Sequence, residues 1–254
     1  MADLLQPARL ASVLALGDDA LILGQRLGEW CGHAPTVELD LSLANLALDL
    51  IGQAQLFLDH AASIEGAGRD GDALAFRRDV HDFRNCLLVE QPNGDFGRTI
   101  VRQLLFSVWQ LALFEAMTAL RDARLAEIAA KAVKEVAYHA RLASDWVIRL
   151  GDGTEESHGR IVDGLDWHWR FIDELFTVDA PEQALVDAGL AVDRAALRPA
   201  WDQSIGSVLA KAGIDRPKSG RGVTGGRQGR HGEHLGHILS EMQFLQRAYP
   251  GASW

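Results

Sequence analysis

Glu135 and His139 are the first residues whose types and spacing could do chemistry. They stand four apart in the run Lys-Glu-Val-Ala-Tyr-His, which puts a carboxylate and an imidazole on roughly one face of a helix. Such a pair can ligate a metal ion. A two-metal carboxylate bundle needs Glu-x-x-His from each of two helices and a Glu from each of two others. Two hard cations close together require about four carboxylates to neutralise and bridge them, and imidazoles complete the coordination.

Each expected helix departs from that set. The first offers Gln25 and, one turn on, Glu29. The second has Asp49 where a Glu belongs, with Gly52 three residues on and Gln53 after it. The third presents Gln103, Ser107 and Gln110 without charge, and Glu115 falls near its end. In the fourth, the position three after Glu135 is Tyr138, so His139 is slipped by one. Gln25, Asp49, Gln53, Ser107, Glu135 and His139 therefore form a degenerate donor set, and no catalytic, cofactor-binding or metal-ligating residue is expected in this chain. The alternative is a buried polar cluster. In it, Asp49, Gln53 and Glu135 would be satisfied by His139, Tyr138 or an arginine such as Arg26.

Two other stretches carry ionisable groups. His231, His234 and His237 are spaced i, i+3, i+6, which drifts around a helix, so the three do not share one metal ion; His231 and His234 could pair, with Glu233 on another face. From Lys218 to Arg230 the chain is Gly-rich and basic, with Arg221 and Arg227 among the cations. It lacks the order of a P-loop and follows no strand, so it reads as a docking loop or connector. A Gly-rich basic stretch of this kind could also cradle phosphates.

The elements that must position these residues are helices. A first is expected from about Arg9 to Trp30, with a loose start at Gly17-Asp18-Asp19 and an end before Pro35. Leu41–Leu58 is apolar on nearly every side, so it should lie in the middle of a helical core, capped by Asp40 or Ser42 and stopped at Gly66. Asn45, Asp49 and Gln53 should form one polar stripe on it. Further helices are expected at Ala73–Arg84, Phe96–Leu120, Leu125–Leu150 and Glu155–Phe176. After Pro181, shorter ones follow at Glu182–Ala188, Arg194–Ala212 and His231–Tyr249. Two apolar helical hairpins plus an additional helix give an all-α, ferritin-like four-helix bundle with additional C-terminal helices. The whole is expected to be a single domain, 1–254, with a core bundle at about 9–176 and an extension at about 181–254.

Composition narrows the class. The 254 residues are 48% hydrophobic and contain two Tyr, ample for a helical core and poor for a β-rich one. A formal net charge of −10 argues against a nucleic-acid partner. Cys31 and Cys86 form no framework, which suits a reducing compartment. The start lacks the features of a secretory signal, and Asp49 marks the apolar second helix as a core helix, so a cytoplasmic protein with no membrane partner is expected.

Several stretches together resemble the C subunits of ring-1,2-phenylacetyl-CoA epoxidases, multicomponent bacterial oxygenases of phenylacetate degradation. They are residues 23–35 (Leu-Gly-Gln-Arg-Leu-Gly-Glu-Trp-Cys-Gly-His-Ala-Pro), 48–55 (Leu-Asp-Leu-Ile-Gly-Gln-Ala-Gln) and 89–96 (Val-Glu-Gln-Pro-Asn-Gly-Asp-Phe). Residues 134–139 and 149–154 fit as well, as do the closing His-Gly-Glu-His-Leu-Gly and Glu-Met-Gln-Phe-Leu-Gln-Arg. The resemblance runs in order along essentially the whole chain. It implies a ferritin-like fold in a complex that epoxidises the aromatic ring of phenylacetyl-CoA with dioxygen and electrons from NADPH. In that family the di-iron centre belongs to the catalytic A subunit, and the C subunit is its non-catalytic structural partner, with no cofactor of its own. A homodimer is plausible when A is absent. Trp30, Trp146, Trp167, Trp169 and Trp201 are candidate anchors or core residues. The rival expectations are an active di-iron oxygenase or oxidase in its own right, and a stand-alone binding or storage protein.

Overall fold

A computed structural model describes residues 2–218 and 222–252, and among them there is no strand. In chain order the helices are α1 (Ala2–Gly28), α2 (Val37–Glu65), α3 (Gly71–Phe76), α4 (Leu87–Glu90), α5 (Phe96–Met117) and α6 (Ala123–Gly151). They continue as α7 (Glu155–Trp169), α8 (Asp173–Phe176), α9 (Ala180–Asp187), α10 (Arg198–Lys211), α11 (Glu233–Met242) and α12 (Phe244–Ala248). The fold is all-α. Its contacts group into two compact units, Met1–Pro92 with Gly225–Trp254, and Asn93–Thr224, boundaries that differ from a division near residues 176–181.

In the first unit α1 and α2 pack along one another. Close approach is possible because Gly17 and Gly24 face α2; a Cβ at Gly24 would lie 3.2 Å from Ile51 Cγ1 and 3.3 Å from the Ala47 carbonyl oxygen. Thr36, not Asp40 or Ser42, caps α2: its Oγ1 accepts the Leu39 amide. Asp40 instead turns back to accept the amides of Gly32 and Ala34 in the preceding loop. Gly66, in the left-handed region at φ 66°, ends the helix as expected.

One expectation about α2 is overturned. Its apolar residues do not all face protein: Val37, Leu41, Leu48 and Ile51 are 73, 61, 65 and 39% exposed. The supposed polar stripe also dissolves, since Asn45 is exposed, Asp49 half-buried and Gln53 buried. Steps of four residues advance 40° past a full turn each time, enough to carry three such residues from solvent to core.

In the second unit α5 packs on α6 and α7, and α10 lies against α5 and α6. α5 is buried nearly all round. Trp201 donates its indole N–H to the Leu105 carbonyl at 3.0 Å, which ties α10 to α5, and its ring meets Trp169 at a tilt and Phe176 edge-on. α6 begins at the Asp122 cap and shows Lys131, Lys134, Arg141 and Arg149 to solvent, as its amphipathic pattern predicts.

Three expected helices are shorter. The one at Ala73–Arg84 stops at Phe76, and Val80–Asp82 is a single 3-10 turn, because Arg78 and Arg84 are drawn into long-range hydrogen bonds. The fifth breaks after Trp169 and resumes as α8. The last starts at Glu233 and is interrupted at Gln243, whose side-chain amide donates to the carbonyls of Ala75 and Arg78. By length and composition alone α2 and α5 could cross a membrane; the most apolar window of α5 is 72% buried, that of α2 only 44%.

Candidate functional site

The six positions of the degenerate set divide between the units. Gln25, Asp49 and Gln53 belong to the first, and Ser107, Glu135 and His139 to the second. On α1, Gln25 is half-buried, and Glu29 is exposed and takes a hydrogen bond from Arg26 Nη1 at 2.8 Å. On α5, Gln103 Nε2 donates to Ser107 Oγ at 2.8 Å, both fully buried. Glu115 is exposed. On α6, His139 is buried and Glu135 half-buried. Tyr138, offered as an internal partner, is instead exposed, with the Arg141 guanidinium 5.6 Å from its ring centroid.

Gln25, Gln53 and Ser107 offer two amides and a hydroxyl, and an amide or alcohol neither neutralises nor bridges two hard cations. Among the described residues, no three His, Cys, Asp or Glu side chains gather so as to hold a metal ion. These residues do not fit a di-iron centre.

The first unit contains a different polar constellation, which the sequence reading missed. Asp18 and Asp19, read as a loose helix start, lie inside α1 and are buried. Asp18 accepts both terminal nitrogens of Arg78 and the Arg84 amide. Asp19 accepts the Cys86 amide at 2.7 Å and Arg227 Nη2 at 2.6 Å. Burial raises the Asp19 pKa above its usual value, and Arg227 offsets only part of that. Glu90 on α4 accepts the Gly232 amide, the Asn85 amide and His231 Nδ1 at 2.7, 3.0 and 2.8 Å. Arg26 binds the carbonyl of the same Glu90 through two nitrogens.

These contacts decide the fate of two motifs. Both ring nitrogens of His231 face acceptors, Glu90 and the Phe83 carbonyl, so neither is a metal donor. His234 is half-buried and His237 exposed. In the basic loop, Arg227 is the clamp on Asp19 and also donates to the carbonyls of Ala15 and Arg84. A Cβ at Gly226 would meet the Asn85 carbonyl oxygen at 2.2 Å, so glycine lets the loop lie against the chain before α4. Lys218 and Arg230 are exposed, and Arg221 lies outside the described residues.

In the second unit, His168 is fully buried and its pKa falls well below the usual value, first through burial and then through the charges of Arg102 and Arg98. Trp169 and Trp201 are core residues, whereas Trp30, Trp146 and Trp167 are half-buried. Trp167 carries the Arg98 guanidinium 3.7 Å from its ring centroid. Of the two thiols, Cys86 is buried and Cys31 exposed, and neither is in a disulfide.

The phenylacetic acid catabolic protein family model matches residues 1–254. The chain belongs to that family. It is also 49% identical over 244 residues, covering 96% of this chain and 98% of the relative, to the C subunit of 1,2-phenylacetyl-CoA epoxidase from Escherichia coli (strain K12). The family is ferritin-like, and each unit supplies one pair of long packed helices, α1 with α2 and α5 with α6.

Proposed function

We propose that this chain is the non-catalytic structural subunit of a multicomponent monooxygenase that epoxidises the aromatic ring of phenylacetyl-CoA. It works as a single cytoplasmic domain, with no nucleic-acid or membrane partner, and holds a catalytic, iron-bearing A-type subunit of the same complex. One observation carries the reading: the chain matches the C subunit of an epoxidase over nearly its whole length, and Gln25, Gln53 and Ser107, three of the six donor positions expected from its sequence, are neutral. With such positions neutral, the retained use of the fold is an interface.

Reconstitution with single components omitted tests it. The complete set should consume NADPH and dioxygen in proportion to epoxide formed. Omitting this chain should abolish or cripple turnover, and this chain without the A-type subunit should be inert. Epoxidation by this chain and the reductase alone would contradict the proposal.

A further inference from the structure

Residues 225–248 lie along the first unit as a strap that carries α11 and α12. It starts at Gly225, whose φ of 143° suits glycine. Arg227 holds Asp19 and the carbonyls of Ala15 and Arg84, and the Gly229 carbonyl meets His81 Nδ1 at 3.1 Å. His231 and the Gly232 amide take Glu90, and Gln243 and Arg247 reach the Arg78 carbonyl. These ties run to α1 or to residues 75–90. Beneath α11, Leu235, Ile238 and Leu239 are buried, yet a cleft of about 470 Å³ opens between Leu239, Phe244 and Arg247 on one side and Asp79 and Val80 on the other. Such a partly undercut element belongs to the less stable end of a fold.

The His231 tie depends on a proton that no tautomer replaces. Its Nδ1 meets Glu90 Oε2 at 2.8 Å and its Nε2 meets the Phe83 carbonyl at 3.0 Å. An imidazolium supplies a hydrogen to each; a neutral ring supplies one and turns a lone pair on the other oxygen. His81 differs, because it is exposed and the Nδ1–H of its neutral tautomer still serves Gly229. Arginine keeps its charge throughout, and Gln243 has none.

The surrounding charges leave Glu90 to His231. On α1, Asp18 is held by Arg78 and Asp19 by Arg227, while Arg26 binds the Glu90 carbonyl. Before α4, Arg84 donates to the same Phe83 carbonyl at 2.8 Å. On the strap, Arg230 and Glu233 are exposed and His234 is half-buried. Loss of the ring proton therefore leaves the buried Glu90 carboxylate without its imidazolium, and the strap with one contact turned repulsive.

We propose that His231 is a pH-sensitive latch: when it loses its proton, residues 225–248 undock from the first unit together while α1 and α2 stay folded.

Hydrogen exchange of the full-length chain tests this, run from mildly acid to mildly alkaline pH with each rate corrected for chemical exchange at that pH. Amides of residues 226–247 should exchange as one group, less protected than those of α1 and α2 and with a shallower denaturant dependence. Their protection should be level below 6.5, the ordinary histidine value, and fall about tenfold per pH unit above it. It should level again once His231 is neutral in the docked strap. His231→Gln should keep the local opening but flatten the profile, whereas His81→Gln and His234→Gln should keep the wild-type slope. Three results would each overturn the latch. They are a flat wild-type profile, exchange of the strap only together with α1 and α2 through global unfolding, and a slope that survives His231→Gln.

Discussion

His231 Nδ1 lies 2.8 Å from Glu90 Oε2, with both side chains wholly shielded from solvent. The other ring nitrogen faces the Phe83 carbonyl, so both nitrogens sit against oxygen acceptors, an arrangement that favours the imidazolium. Burial alone would lower its pKa, but the bonds to Glu90 and Phe83 and the charges of Glu90 and Asp18 outweigh it, and the net shift is upward. A raised folded-state value means the stabilisation is complete below the ordinary value of 6.5 and is lost as pH climbs through the raised one. Thermal melts at a series of pH values should show wild type losing its margin over His231→Gln across that window. Parallel curves would refute the linkage.

Asp18 and Arg78 form a buried bidentate pair. Removing one member leaves an uncompensated buried charge. Asp18→Ala should cost roughly 3–5 kcal/mol in denaturant unfolding, and Asp18→Ala with Arg78→Met should recover much of it. If the double variant is as unstable as the sum of the singles, the pair is not what holds this region.

The two cations of the Gly-rich loop should behave differently. Arg227→Ala should destabilise by roughly 2–4 kcal/mol, because it leaves Asp19 buried without its partner. Arg230→Ala should leave stability unchanged within about 0.5 kcal/mol. Neither change should alter KM for phenylacetyl-CoA in the assembled complex. A several-fold rise in KM on Arg230→Ala would make the loop part of a CoA site.

Glu135→Gln and His139→Gln test the degenerate set directly. In the reconstituted complex kcat should stay within about twofold of wild type, provided the variants fold. Loss of an iron ligand would instead reduce it by orders of magnitude.

Local features of the fold were legible. Gly66 ends α2, and the amphipathic pattern of α6 sets its wet face. The Asp18–Arg78 and Asp19–Arg227 pairs were not, because their members are 60 and 208 residues apart and each looks like surface charge in its own neighbourhood. The open face of α2 was hidden for another reason. α2 and α5 are both apolar nearly all round, and composition cannot say whether an apolar face is covered by the same chain or by another. α5 is covered by its own unit, whereas α2 is left open at Leu41 and Leu48. Among the candidate donors, the missing anions could be counted from the sequence; the separate burial of Asn45, Asp49 and Gln53 could not.

The most direct test of the account is the iron content of this chain purified alone after anaerobic loading with ferrous iron, set beside the A-type subunit treated identically. A degenerate donor set predicts iron near background here and about two irons per A-type chain, as di-iron bundles hold. About two irons bound tightly to this chain, lost on Glu135→Gln or His139→Gln, would contradict it.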